Sequence, residues 1–313
     1  MDVSAYRECV LCPRQCRVDR TVGQRGVCGE AAVCRVASIG AHHGEEPVFS
    51  GTRGSGTVFF TGCSCRCVFC QNWQISREGL GEEMSLETLT ERVLELAAQG
   101  VHNLNFVTPD HVWPQVRELC RRLRAAGVRI PFILNCSGYE RPELVAEYGE
   151  VIDIFLPDFK FSDPELARRC MGDARYPEVA LAAVTAMVEV AGFLRPWDES
   201  FETPAAKGVL VRHLVLPGQV ENSLGVLRQL HERCGPDLPL SIMSQYRPMP
   251  ACTEAGFMTG TVPRREYDQV CALAEELGFE HAFIQPDYGD EGFAPDFRNE
   301  QPFAGNRSEA DRP

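Results

Sequence analysis

The chain has 313 residues, 44% of them hydrophobic, and 31 Lys and Arg against 44 Asp and Glu give a net charge of −13. That length suits one large domain, or a domain with an appendage, around a substantial core. An acidic surface repels phosphate backbones and anionic bilayers, so neither nucleic acid nor membrane is an expected partner.

No apolar run reaches the roughly 18 residues of a membrane span. The opening stretch MDVSAYRECVLCPRQC has no signal-peptide core, so a cytoplasmic location is expected. In that reducing compartment the fifteen cysteines read as thiols, and the clustered ones as metal ligands. Residues 1–50 have little periodicity and read as a Cys-rich appendage. Within it Cys9, Cys12, Cys16 and Cys28 give C-x2-C-x3-C-x11-C, the pattern of a metal site whose binding energy folds the segment. Zinc and a second iron–sulfur cluster both fit that spacing, and Cys34 is an alternative ligand. His42 and His43 read as a solvated turn.

From residue 51 to 289 the pattern is that of a core. Strands are expected at 57–62, 102–109, 130–138, 150–158, 208–218 and 239–248, separated by helical patterns such as 85–100, with its Ser cap and Gly stop. Six strands alternating with helices indicate a parallel α/β sheet or an incomplete barrel. Residues 290–313 read as a polar, frayed tail. Ligands in such folds gather at the carboxyl ends of the strands, which makes the residues just after each strand the ones to inspect. Cys120, Cys136, Cys170, Cys234, Cys252 and Cys271 are scattered and read as core residues.

The first core strand runs directly into TGCSCRCVFCQN (61–72). Cys63, Cys67 and Cys70 form C-x3-C-x2-C on an irregular loop, so their thiols can converge on one face of an iron–sulfur cube. A [4Fe–4S] cluster takes four cysteines, and three leave one iron open to a small molecule. Cys65 lies too close to both neighbours to be a comfortable ligand and reads as a small residue.

The run CSCRCVFC, with Phe69 before the last cysteine, resembles the signature of the radical S-adenosylmethionine (SAM) enzymes. The resemblance implies an α/β fold, a partial six-unit (β/α) radical SAM barrel, here with a small Cys-rich N-terminal metal-binding extension. It also implies a [4Fe–4S] cluster, SAM as its ligand, reductive cleavage to a 5′-deoxyadenosyl radical, and a ferredoxin or flavodoxin as low-potential donor. LPDFK (156–160) and RHLVLPG (212–218) resemble segments of the activating enzymes of glycyl radical enzymes, which implies a protein substrate; a small molecule or another peptide is the alternative. Under this resemblance Asp158, Lys160 and Arg212 take catalytic roles: Lys160 pairs with the SAM carboxylate, and Arg212 meets a carboxylate or helps hold Asp158. Asn135, Thr108 and Gln245 join the three cysteines as cofactor-binding residues. The family's Gly-Gly-Glu-Pro segment is replaced by FVTPDH (106–111). The N-terminal cysteines resemble a branch described only as pyruvate formate-lyase activating protein homologues. A non-catalytic iron–sulfur or zinc protein is the competing expectation.

Overall fold

The computed structural model describes residues 4–197, 203–285 and 294–303. Among the described residues ten strands and ten α-helices alternate along most of the chain, after two 3₁₀ turns near its start. In chain order they are β1 (Arg35–His42), α1 (Pro47–Ser50), β2 (Ser55–Phe60), α2 (Trp73–Ser76), β3 (Glu82–Glu83), α3 (Leu86–Ala98), β4 (Leu104–Val107), α4 (Trp113–Ala125), β5 (Phe132–Cys136), α5 (Pro142–Tyr148), β6 (Ile154–Pro157), α6 (Pro164–Met171), α7 (Tyr176–Ala191), β7 (Gly208–Val209), β8 (Val211–Leu214), α8 (Val220–Cys234), β9 (Leu240–Met243), α9 (Pro250–Glu254), α10 (Arg264–Glu276) and β10 (Ala282–Ile284).

Local chemistry explains the elements. Ser85 caps α3 by accepting the Thr88 N–H at 3.1 Å, and Leu89, Val93 and Leu96 bury one face of that helix. The inner strands are short apolar runs. β2, β4 and β6 are buried along their whole length, as parallel strands covered on both faces must be.

Strands β2, β4, β5, β6 and β7 pair in parallel, and β8, β9 and β10 form a second parallel set. The run expected at 208–218 breaks at Leu210 into β7 and β8. A parallel bridge between Asp158 and Arg212 carries the row from β6 across to β8. The result is a partial α/β barrel, as the sequence implied, with β10 as a short extra stave. β1 adds antiparallel to β2 and so lies outside the parallel row.

Alternation along the staves separates two apolar layers. Leu134 and Phe155 face the helices, whereas Ile133, Ile154 and Leu156 face inward and meet Val48 and Phe49 of α1. The four-residue α1 thus plugs the amino end of the barrel, held by Asn103 Nδ2 donating to the Phe49 carbonyl at 2.8 Å. A cavity of about 520 Å³ opens at the carboxyl ends of the strands. The N-terminal segment has a small apolar cluster of its own, Tyr6, Cys9 and Leu11, and is tied to the barrel by side chains such as Arg141, which donates to the Val10 carbonyl at 2.8 Å. All fifteen cysteines are free thiols; Cys120, Cys136, Cys170 and Cys252 are buried as core residues, and Cys234 and Cys271 half-buried. Among the described residues no helix is long and apolar enough to cross a membrane. Of the expected tail, 294–303 is described: Phe297 and Phe303 pack with Phe59. The rest of 290–313 lies outside the described residues.

Candidate functional site

β2 delivers the chain to Gly62, where a left-handed turn (φ +85°) starts the cysteine loop. A Cβ there would stand 2.5 Å from Glu30 Cγ and 2.9 Å from the Cys28 carbonyl, so only glycine fits. The loop is pinned from outside. His111 donates from Nε2 to the Thr61 carbonyl at 2.7 Å, Arg14 Nε donates to the Ser64 carbonyl at 3.0 Å, and the Val68 N–H bonds the Cys170 carbonyl at 2.9 Å. Arg66 (φ +49°) holds a left-handed conformation inside it, as does Thr108 (φ +53°) after β4. Such strain in non-glycine residues collects at functional sites.

Cys63 and Cys67 are buried and Cys70 half-buried, and all three face one cavity of about 520 Å³. The Cys65 N–H donates to Cys63 Sγ at 3.4 Å and the Ser76 hydroxyl to Cys70 Sγ at 3.3 Å. A hydrogen bond shared with Cys65, together with burial, pushes the Cys63 thiol well up, and burial pushes up Cys70. These are thiols that a cation would deprotonate. Cys65 also lines the cavity, 1% exposed.

The strand ends supply the remaining walls. Thr108 follows β4, Asn135 lies in β5, Asp158 and Lys160 follow β6, and Gln245 follows β9; each lines the same cavity as the cysteines. Asp158 and Lys160 form an ion pair. Burial alone would lower the Lys160 ammonium, but Asp158 and the nearby thiols outweigh it and keep the side chain charged. The Tyr176 hydroxyl accepts the Lys160 N–H at 2.9 Å and lies 2.8 Å from the Ser137 carbonyl, which fixes the turn. Gly138 (φ +72°) lets β5 pass against it: a Cβ there would lie 2.0 Å from the Asp158 carbonyl. Gln245 Oε1 accepts from Gln285 Nε2 at 3.0 Å.

Arg212 makes one set of contacts through its main chain and another through its side chain. Its backbone carbonyl accepts the Phe159 N–H at 2.7 Å, so it does hold the Asp158 segment, but through the main chain. Its guanidinium is taken up by Glu45 and Glu46, with Nε donating to Glu46 Oε1 at 2.8 Å. Burial would raise the Glu46 carboxyl; Arg212 overrides that and holds it below the usual range. Glu45 also accepts from Asn105 Nδ2 at 2.9 Å. The sequence reading missed both glutamates; the available signal was the Gly-Glu-Glu-Pro run at 44–47, which the chain threads between β1 and the α1 plug. It also missed His111 and Ser76. His42, read as a solvated turn, instead ends β1, lines the cavity and meets the Phe303 ring at 4.1 Å. His43 is exposed.

The donor set fits an iron–sulfur centre: three soft sulfurs on one loop, two of them accepting hydrogen bonds, at the mouth of a cavity. Among the described residues no three His, Cys, Asp or Glu stand close enough to hold a single metal ion. A cubane makes no such demand, because each thiolate binds a separate iron. Of the N-terminal quartet, Cys9, Cys12 and Cys28 are buried and Cys16 half-buried.

Comparison with known proteins bears on this geometry. A family model described as the radical SAM superfamily matches residues 57–227. An uncharacterized protein of Methanocaldococcus jannaschii is 26% identical over 281 residues, covering 88% of this chain and 76% of the relative. Among solved structures, HydG, a maturase of the [FeFe]-hydrogenase, aligns with a TM-score of 0.49 at 13% identity over 71% of this chain and 49% of its own. Streptococcus suis SuiB bound to S-adenosylmethionine gives 0.48 at 12% identity, over 72% and 48%. Methylornithine synthase (PylB) gives 0.43 at 13% identity, over 72% and 69%. The chain spans about half the length of the HydG and SuiB structures.

Proposed function

This chain belongs to the radical SAM superfamily, and we propose that it uses a [4Fe–4S] cluster on Cys63, Cys67 and Cys70 to cleave SAM reductively and abstract hydrogen from a substrate. The observation that carries this reading is the convergence of the three thiols with Asn135, Asp158 and Lys160 on one cavity. With cluster and SAM bound, one electron splits the sulfonium into methionine and a 5′-deoxyadenosyl radical; that chemistry belongs to the cofactors.

The chain's own residues bind, orient and exclude. Lys160, kept charged by Asp158, offers an ammonium to the SAM carboxylate. Asn135, Thr108 and Gln245 offer polar atoms around the same space. The plug at the amino end and the apolar walls keep out water, which matters to a reactive intermediate. A low-potential one-electron carrier such as a ferredoxin or flavodoxin is the proposed donor. The numerous free thiols accord with a cytoplasmic setting.

For the substrate we favour an activase-like role on the backbone of a glycyl radical enzyme, because Asp158, Lys160 and Arg212 stand together around the turn after β6. One observation favours a small molecule or short peptide instead: Phe303 and Ala294, which follow β10 in the chain, add to the walls of the cavity. A non-catalytic electron carrier has no use for such a cavity. The test is anaerobic reconstitution, reduction with dithionite, and chromatography for 5′-deoxyadenosine. Product should form in the native chain and in Cys65→Ala, and vanish in Cys63→Ala, Cys67→Ala and Cys70→Ala. Product in all four variants would overturn the ligand assignment, and product in none of the proteins would overturn the function.

A further inference from the structure

We propose that Cys9, Cys12, Cys16 and Cys28 hold a second iron–sulfur cubane, not a zinc ion, seated directly against the loop that carries Cys63. Three of the four, Cys9, Cys12 and Cys16, share one hairpin: the Cys9 N–H bonds the Val18 carbonyl at 3.1 Å, the Arg17 N–H bonds the Cys9 carbonyl at 2.9 Å, and the Gln15 N–H bonds the Cys12 carbonyl at 3.0 Å. Gln15 (φ +44°) and Arg17 (φ +55°) flank Cys16 in left-handed conformations that non-glycine residues hold only under external constraint. The Val27 N–H donates to Cys16 Sγ at 3.4 Å, and Gly26 leaves room for that sulfur, since a Cβ there would lie 2.8 Å from it. This turn chemistry suits thiolate ligands.

A buried charge points the same way. Arg20 is 1% exposed, and among the described residues its guanidinium donates to the Ala31 and His111 carbonyls and to Cys9 Sγ at 3.7 Å, never to a carboxylate. Burying a cation without an anion is costly. Metal-bound thiolates at Cys9 and Cys28 supply the anion.

Spacing decides between the metals. Tetrahedral zinc with sulfurs about 2.3 Å away needs thiols roughly 4 Å apart. The quartet, like Cys63, Cys67 and Cys70, has no three groups near enough for one ion. A cubane makes no demand for such closeness, because each thiolate binds a separate iron. The two thiol sets also touch: the Cys63 N–H donates to the Cys28 carbonyl at 3.4 Å, and His111 links Arg20, which donates to its carbonyl at 2.6 Å, to Thr61. A ligand of one centre is therefore hydrogen-bonded to a ligand of the other.

The experiment uses the full chain reconstituted anaerobically with iron and sulfide, with metal analysis and Mössbauer spectroscopy. The native protein should hold about eight irons per chain and no zinc, as two cubanes. Cys12→Ser should drop this to about four while the remaining cluster still responds to SAM. Conversely, Cys63→Ala, Cys67→Ala and Cys70→Ala combined should keep about four irons in a cluster blind to SAM. One zinc and about four irons in the native chain, or iron unchanged in Cys12→Ser, would overturn the proposal. Because the native stoichiometry is read without any substitution, a variant that fails to fold leaves the test standing. Eight irons with neither cluster responding to SAM would sink the proposed function and leave this inference intact.

Discussion

Replacing Arg212 with Leu probes the floor of the cavity. The Arg212 side chain is 12% exposed, and Glu45 and Glu46 are 7% and 8% exposed, so the substitution strands two buried carboxylates. Removing one partner of a buried ion pair costs about 3–5 kcal/mol. In a chain of this size that lowers the thermal midpoint by roughly 10 °C. The pH dependence carries the argument. In the native fold Arg212 holds the Glu46 carboxyl below its unfolded value, so its stabilisation is present above that value and is lost as pH falls through the folded one. In Arg212→Leu the same carboxyl is raised by burial and takes up a proton as pH falls, which relieves the variant. The gap between the two proteins, read by tryptophan fluorescence on heating, should be wide near pH 7.5 and narrower near pH 5. Adding Glu45→Gln and Glu46→Gln to Arg212→Leu should recover most of the loss. A deficit under about 1 kcal/mol, or one that ignores pH, would refute the network as described.

Three further outcomes follow from single contacts. Gly138→Ala forces a Cβ to 2.0 Å from the Asp158 carbonyl at φ +72° and should cost at least about 2 kcal/mol in chemical denaturation; a neutral result would mean the β5–β6 approach is wrong. Glu140, pushed up to about 8 by burial and then by Asp110, destabilises the fold as pH rises from its unfolded range toward that value. Glu140→Gln should therefore gain on the order of 1–3 kcal/mol near pH 9 and nothing near pH 4, so an equal gain at both would contradict it. Ser76→Ala deletes the hydroxyl that donates to Cys70 Sγ, so iron content should persist while the reduction potential becomes more negative in a redox titration; an unchanged potential would remove Ser76 from the site.

The parallel staves were legible because each is a short apolar run ending in a polar residue, and the strand-end rule then placed Thr108, Asn135, Asp158 and Lys160 around one space. The cysteine loop was legible because three thiols at that spacing on an irregular loop have few other uses. β1 was not legible: RVASIGAH is only half-buried and lies antiparallel outside the barrel row, so neither alternation nor a continuous apolar run marks it. The Glu45–Glu46 pair escaped for a related reason, since its partner Arg212 is 166 residues away from Glu46 and only the closed barrel brings them together. His111 and Ser76 act on the cysteine loop by tertiary hydrogen bonds that carry no sequence period. Arg212 shows the limit of motif reasoning: its place after a strand was informative, but what its guanidinium meets depends on a segment threaded in from the opposite end of the barrel.

The proposed reaction requires SAM to bind the iron that Cys63, Cys67 and Cys70 would leave without a protein ligand. Electron–nuclear double resonance on the reduced protein, with SAM labelled at its amino nitrogen and carboxylate oxygen, reads that contact directly. Hyperfine coupling from both labels in the native chain, absent when the three cysteines are replaced, is the expected result. A reduced cluster with no coupling to either label would contradict the central claim.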